Sequence, residues 1–401
     1  MSPRVSRVGY LKVLAVAGVM VLVTCTVDRE PLAPGRLEGP RFTLQSFQGP
    51  QIFVGAGDIA SCVNDNDAAT ATLIDGIAGT VFTAGDDAYP NGRAVDYSNC
   101  YDPTWGRFKA RTWAVLGNHE YDSSATAQPS FDYFGDRAGP AGLGYHSIDL
   151  GAWHVIFLND NGQFVPFKAG SVQDQWLVAD LAAHPNLCTL VIWHQPAFFS
   201  NKNPTGATSD PARKIFWDRL YAAGVDVVLN GHQHQYERFL PMTPDGVVDQ
   251  DHGIREFIVA TGGESTGQPQ NIAPNSVVQA STFGVTKFTL KDGGYDWQYI
   301  PIPGQTFTDA GSASCHDAPG GVSGDQSTLV VAPTTVFTNQ AATITVTAKD
   351  GNGNPVAGAF VTLAATGTGN TLTQPAAYTD ANGVATGTLT STVTETKTIS
   401  A

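Results

Sequence analysis

Charge is scarce in this 401-residue chain, and positive charge scarcest: Asp, Glu, Lys and Arg make up 14 % of it, with 22 Lys+Arg against 36 Asp+Glu. A formal net charge of −14 at pH 7, with no basic patch beyond the N-terminus, excludes nonspecific binding to a nucleic-acid phosphate backbone. The apolar run Val13–Val23 is shorter than the about 20 residues a membrane span needs. It follows Arg4, Arg7 and Lys12, the arrangement of a secretory signal, so export is favoured over an anchor. Cysteine is also rare, at 5 residues, and no Cys-x-x-Cys spacing supports a thiolate metal site. Cys25 directly follows Leu22-Val23-Thr24 and resembles a bacterial lipoprotein signal, leaving lipidation, with a membrane tether, and simple cleavage as two readings.

What the chain does have is a repeated local pattern. Five apolar β-rich runs each end in a short polar word: Gly57-Asp58, Gly85-Asp86-Asp87-Ala88-Tyr89, Gly117-Asn118-His119-Glu120, Trp193-His194 and Gly231-His232-Gln233-His234. Asp58, Asp86, Tyr89, Asn118, His194, His232 and His234 are hard oxygen and imidazole donors, delivered to one edge of a sheet. A lone Gly-Asp or Gly-Asn after a strand is more often a turn than a ligand. Five such words in succession favour a site for two metal ions about 3.5–4 Å apart, which can acidify a water and clamp the attacking and leaving oxygens of a phosphate ester.

The order and wording of these motifs resemble the calcineurin-like metallophosphoesterases over roughly Gln51 to Pro303, and Gly85-Asp86-x-x-Tyr89 resembles their purple acid phosphatase branch. Ala60 departs from the Gly or His often found in the first motif, which leaves Asp58 as its only ligand. The resemblance implies Asp58, Asp86, Tyr89 and His234 around one metal and Asp86, Asn118, His194 and His232 around the other, with Asp86 bridging. It implies ferric iron at the phenolate position, paired with ferrous iron, zinc or manganese. It also implies attack by a metal-bound hydroxide, with His119 binding the phosphate and protonating the leaving oxygen, as an imidazole that titrates near neutrality can. Glu120, Glu237 and Arg238 flank the motifs, and supporting and plain salt-bridge roles stay open for them. His146, His154, His184, His252 and His316 match no motif and default to surface or structural positions.

Along the chain we expect a signal over residues 1–24, a linker over 25–50, the catalytic domain over 51–310, a linker over 311–327 and an all-β domain over 328–401. Helices are expected from Asn64 or Asp65 to about Ile77, from Gln173 to Ala183 behind Ser171, and from Pro211 to Gly224; Gly144 to Asn159 reads as a hairpin turning at Gly151. Alternating strands and helices predict mixed sheets faced by helices, which the resemblance sharpens to a four-layer α/β/β/α sandwich. Cys62, Cys100, Cys188 and Cys315 allow three disulfide pairings. Cys62 and Cys100 follow the first two motifs over the same sheet edge, which favours that pair and leaves Cys188 with Cys315.

From Ser327 onward charge and helix signals fade, Ile344, Val346 and Ala348 alternate, and Asp350–Pro355 and Asp380–Gly383 mark turns. This tail resembles bacterial immunoglobulin-like domains of the invasin and intimin type, a module that could bind a surface or polymer, and its last residues look like a strand just starting. Three functions fit: hydrolysis of small phosphate monoesters, hydrolysis of diesters such as nucleotides or glycerophosphodiesters, and a spent phosphoesterase scaffold carrying an adhesive tail. An intact ligand set favours an exported or envelope-bound enzyme over the scaffold.

Overall fold

The computed structural model describes residues 10–15, 49–184, 188–316, 322, 326–350, 353–356, 359, 361, 363–375, 379–380 and 382–401. Two compact bodies result, one spanning residues 45–318 and the other 319–401 together with the N-terminal stretch.

The first body contains two sheets built from the expected apolar runs. Strands β1 (Gln51–Ala56), β2 (Thr80–Thr83) and β3 (Thr112–Ala114) are parallel neighbours. So are β5 (Trp153–Phe157), β6 (Cys188–Ile192), β7 (Val227–Asn230) and β9 (Arg255–Val259), while β4 (His146–Leu150) joins β5 as the predicted hairpin. Antiparallel β8 (Tyr236–Phe239) and β10 (Ser276–Ala280) complete a seven-stranded sheet. The antiparallel strands β11 (Gly284–Lys291), β12 (Gly294–Pro301) and β13 (Ala310–Ser314) extend β1 into a six-stranded one. Strand β13 falls within the stretch read as linker, and pairs because Ala310–Ser314 aligns with Gly294–Gln298.

The four layers follow from side-chain alternation along strands buried on both faces. Phe53, Phe82, Phe157, Leu190, Leu229, Phe257 and Phe288 point between the sheets and form the central core. Their neighbours Val54 and Val81 face outward onto a layer holding Ile74 and Trp105, whereas Ile156, Val191, Val228 and Ile258 face Leu177, Phe216 and Trp217. Those outer layers rest on α1 (Asn66–Asp75), α2 (Val172–Ala183) and α3 (Lys214–Ala222). Ser171 caps α2 as expected, accepting from Asp174 N at 3.2 Å. In α1, Asp65 makes no side-chain cap, and Asn64 Oδ1 accepts from Asn66 N instead. Trp217 of α3 is fully buried. Disulfides join Cys62 to Cys100 and Cys188 to Cys315, the favoured pairing.

In the second body, Thr328–Ala332, Ala342–Thr347, Val384–Ser391 and Asn370–Thr373 form an antiparallel sheet. Its inward residues Val331, Ile344 and Leu389 share a core with Leu363 and Ile399. The backbone of Tyr10–Ala15, inside the stretch read as a signal, pairs with Thr335–Phe337 and Thr396–Ser400. The rest of that signal, Cys25, most of the 25–50 linker, and residues 317–321 and 323–325 of the 311–327 linker lie outside the described residues. Among the described residues no helix is long and apolar enough to cross a membrane.

Candidate metal centre

All five polar words leave the C-terminal ends of parallel strands, the end at which open α/β sheets gather their ligands. The loops are laced to one another: Asp58 N donates to Gly85 O, Ile59 N to Asp86 O, and Gly231 N to His194 O. Asp58, Asp86, His232 and His234 all sit at positive φ, between 51° and 72°. Non-glycine residues avoid that region unless their surroundings fix them there, and such strain gathers at functional sites. Gly117 is required by the same crowding, since a Cβ there would lie 2.1 Å from Asp86 Oδ1.

Two groups of donors meet at one atom. On one side, Asp86 Oδ2 lies 3.1 Å from Tyr89 Oη, which lies 3.0 Å from Asp58 Oδ1 and 3.3 Å from His234 Nε2. His234 Nε2 is in turn 3.2 Å from Asp58 Oδ1. On the other side, the same Asp86 Oδ2 lies 3.1 Å from His194 Nε2, which is 3.3 Å from His232 Nδ1. Donors about 2.0–2.1 Å from one cation stand about 2.9–3.4 Å apart, so these spacings suit an ion in each group. Asn118 Oδ1 is buried with no hydrogen-bond partner among the described residues, an orphaned acceptor in the residue before His119, whose backbone N donates to Asp86 Oδ1. The outer nitrogens are already committed: His194 Nδ1–H donates to Ala84 O at 2.8 Å, and His234 Nδ1–H faces Ser265 Oγ at 2.6 Å and Glu264 Oε2 at 3.0 Å. Both Nε2 atoms are thereby aimed inward, as ligating histidines require.

Without cations, protons balance this array. Burial disfavours charge on His194, yet the Asp86 carboxylate and then Asp58 outweigh it and push its pKa up to about 10. His234 is likewise pushed up to about 10, against burial, by Asp58 and Glu264. Burial and the charge of His194 pull His232 down to about 4. Burial, Asp58 and Asp86 push the Tyr89 phenol well above its ordinary range. An ion held by these donors would have to expel the protons of His194, His234 and Tyr89, about three in all, and its affinity should climb with pH between about pH 6 and about pH 8. Calorimetric titration of metal-free protein in buffers of different ionisation enthalpy reads that number; pH-independent binding without proton release would contradict the arrangement.

His119 stands beside the donors without joining them. Its backbone N donates to Asp86 Oδ1 at 2.8 Å, its Nδ1–H is held by Pro90 O at 2.7 Å and Asp122 Oδ2 at 2.9 Å, and its Nε2 points inward, 3.9 Å from Asp86 Oδ2. Asp122 gave no signal in sequence, being one acidic residue in a short helical turn. Glu120 takes the supporting role over the salt-bridge one: its fully buried carboxylate accepts from Asp86 N at 3.0 Å, Asp87 N at 2.9 Å and Gly117 N at 2.7 Å. Burial and the Asp86 charge raise its pKa to about 7 against those bonds. Glu120→Ala would leave three buried N–H groups unpaired, at about 1–3 kcal/mol each. We expect a stability loss of about 3 kcal/mol or more with falling metal content, read by denaturant unfolding and elemental analysis; an unchanged midpoint would refute it.

Of the other flanking residues, Glu237 accepts from Ser200 N at 2.9 Å and Gln235 Nε2 at 2.8 Å, and Arg238 pairs bidentately with Asp309 at 2.7 and 3.0 Å. The loop carrying His194 is held by buried Asp160, which accepts from His194 N and Gln195 N and pairs with Arg213 at 3.0 Å.

Residues 51–236 match the family model for calcineurin-like phosphoesterases, and residues 326–401 that for the bacterial Ig-like domain (group 1). Purple acid phosphatase 21 of Arabidopsis thaliana is 32 % identical over 225 residues, covering 49 % of this chain and 49 % of that protein. Acid phosphatase type 7 of Homo sapiens is 28 % identical over 209 residues, 44 % and 46 % of the two chains. The chain thus spans about half the length of the curated relatives it matches. Among solved structures, purple acid phosphatase PPD1 from yellow lupin (Lupinus luteus) seeds aligns with a TM-score of 0.55 at 18 % identity, over 67 % of this chain and 54 % of that one. GAP50, the anchor in the inner membrane complex of Plasmodium, aligns at 0.51 and 14 % identity, over 67 % and 90 %. At such identities the two structures speak for the fold alone.

Proposed function

With residues 51–236 belonging to the calcineurin-like phosphoesterases and residues 326–401 to the bacterial Ig-like domains, we propose that this protein is an exported, dinuclear-metal phosphatase acting on small phosphate monoesters. The observation that carries this reading is the single atom Asp86 Oδ2, at 3.1 Å from a donor of each group. Asp58, Asp86, Tyr89 and His234 would hold one ion, and Asp86, Asn118, His194 and His232 the other. When bound, the pair supplies an acidified water and neutralises charge on the phosphoryl oxygens. Tyr89 favours a trivalent partner such as iron, because a phenol surrounded by Asp58 and Asp86 gives up its proton only to a concentrated positive charge.

The chain's own groups do the rest. His119, with Nδ1–H fixed outward by Pro90 and Asp122, holds Nε2 toward the site, where it can hydrogen-bond a phosphoryl oxygen and hand a proton to the departing alkoxide. Glu120 holds the Asp86 and Gly117 loops in register. Two disulfides and a bacterial Ig-like domain fit an oxidising extracellular or envelope setting, where the tail would bring the enzyme to a surface or polymer. The test is a panel of monoesters and diesters assayed with iron- and zinc-loaded full-length protein. Monoester turnover well above diester turnover is expected; preference for diesters would reassign the substrate class, and no turnover on either would sink the reading.

A further inference from the structure

A second donor cluster lies at the far end of the same sheet. His154 is the second residue of β5, in register with Thr189 of β6, and Thr189 precedes His194 by five residues of extended chain, about 16 Å. The His154 side chain is buried, at 1 % exposure, between two carboxylates. Its Nε2 lies 2.9 Å from Asp180 Oδ2 on α2, and its Nδ1 lies 2.8 Å from Asp149 Oδ1 on β4. Asp180 also accepts from Ser147 Oγ at 2.8 Å, so it is a fixed acceptor rather than a free ligand. His184, just past the end of α2, donates from Nδ1 to Asp180 O at 2.9 Å, which leaves Nε2 as its lone-pair nitrogen. Its ring stacks on that of His154 at 4.2 Å.

This is the arrangement in which a metal-ligating histidine donates its other N–H to a carboxylate. With Nε2 donating to Asp180, the 2.8 Å contact of His154 Nδ1 with Asp149 Oδ1 needs a cation between the two, either a second ring proton or a metal ion. One donor atom each from Asp149, His154 and His184 fall within 4.8 Å of one another. Asp149 and His184 are 48 % and 37 % exposed, so the buried imidazole opens to solvent through the two side chains best able to adjust. Two imidazoles and one carboxylate form a donor set for zinc, copper or nickel, with a water completing four-coordination.

We propose that Asp149, His154 and His184 form a third, surface site for a divalent transition metal such as zinc, with Asp180 as the residue that positions His154. Binding requires the His184 ring to turn out of its stack, and it ties the β4–β5 hairpin to the end of α2. A proton on His154 competes with the ion.

The test is equilibrium dialysis of tag-free full-length protein against micromolar zinc near pH 8, with elemental analysis, for wild type, Asp149→Asn and His184→Ala. Both substitutions are at exposed side chains, and circular dichroism checks their folding. Each variant should bind one equivalent less than wild type. The difference of one is read whether the catalytic centre holds two ions or none, so it separates from the phosphatase reading. Equal zinc in all three proteins would overturn the proposal and leave His154 as an imidazolium bridging Asp149 and Asp180.

Discussion

Asp86→Ala is expected to abolish turnover and to lower the occupancy of both catalytic metals together. Asp86 Oδ2 is within 3.1 Å of Tyr89 Oη in one donor group and of His194 Nε2 in the other, so a single oxygen faces a side-chain donor of each. Removing it deletes the anion facing both groups and takes from His194 the carboxylate that chiefly raises its pKa. Elemental analysis of the variant decides the point. Loss of one metal with the other retained would mean that the bridge is elsewhere. Asp58→Ala is the comparison, because the donor atoms facing the Asp58 carboxylate are those of Tyr89 and His234, while His232 gives it only its backbone N–H, so its loss should empty one position preferentially.

His119→Ala should lower kcat on alkyl phosphates by roughly 10²–10⁴, the usual size of a general-acid contribution. Its Nε2 is aimed at the cluster while Nδ1–H is tied to Pro90 and Asp122. An alkoxide needs that proton to depart. A nitrophenolate does not, so activated aryl esters should lose much less. Metal content should be unchanged, since Asn118 carries the orphaned oxygen in this motif and His119 contributes none of the 3.0–3.3 Å donor contacts. Equal losses on both ester types would assign His119 to phosphate binding or charge stabilisation instead.

The strand-end words were legible because parallel strands buried on both faces read as unbroken apolar runs, and each run stops at a glycine or a charged residue where the loop begins. The same signature marks Val259-Ala260-Thr261-Gly262-Gly263-Glu264, a sixth strand end whose Glu264 braces His234. It went unread because glutamate after paired glycines resembles an ordinary turn. The layer over residues 94–138 was hidden for a different reason. Its helical pieces, such as Ala94–Asp96 and Gln128–Phe134, are too short to show a 3.6-residue period. They are fixed by the packing of Tyr97, Tyr101, Tyr133 and Phe134 on one another.

The supports of the site were out of reach because they are tertiary. Asp160 meets Arg213 across 53 positions, and Glu120 chooses backbone N–H groups of Gly117, Asp86 and Asp87 over any salt-bridge partner. Backbone strain at Asp58, Asp86, His232 and His234 has no sequence signature at all, since none of these residue types demands positive φ. His154 and His184 were read as unremarkable because no motif joins them; β4, β5 and α2 bring their partners together.

The most direct measurement is the transition-metal content of the full-length protein purified without chelators, taken alongside its rate on a phosphate monoester. The Asp149→Asn variant, which leaves the catalytic donors intact, should retain two equivalents per chain and turn the ester over, whereas Asp86→Ala should lose both catalytic metals and the activity. Wild-type protein that is metal-free after reconstitution with iron and zinc, and inert toward monoesters, would contradict the account.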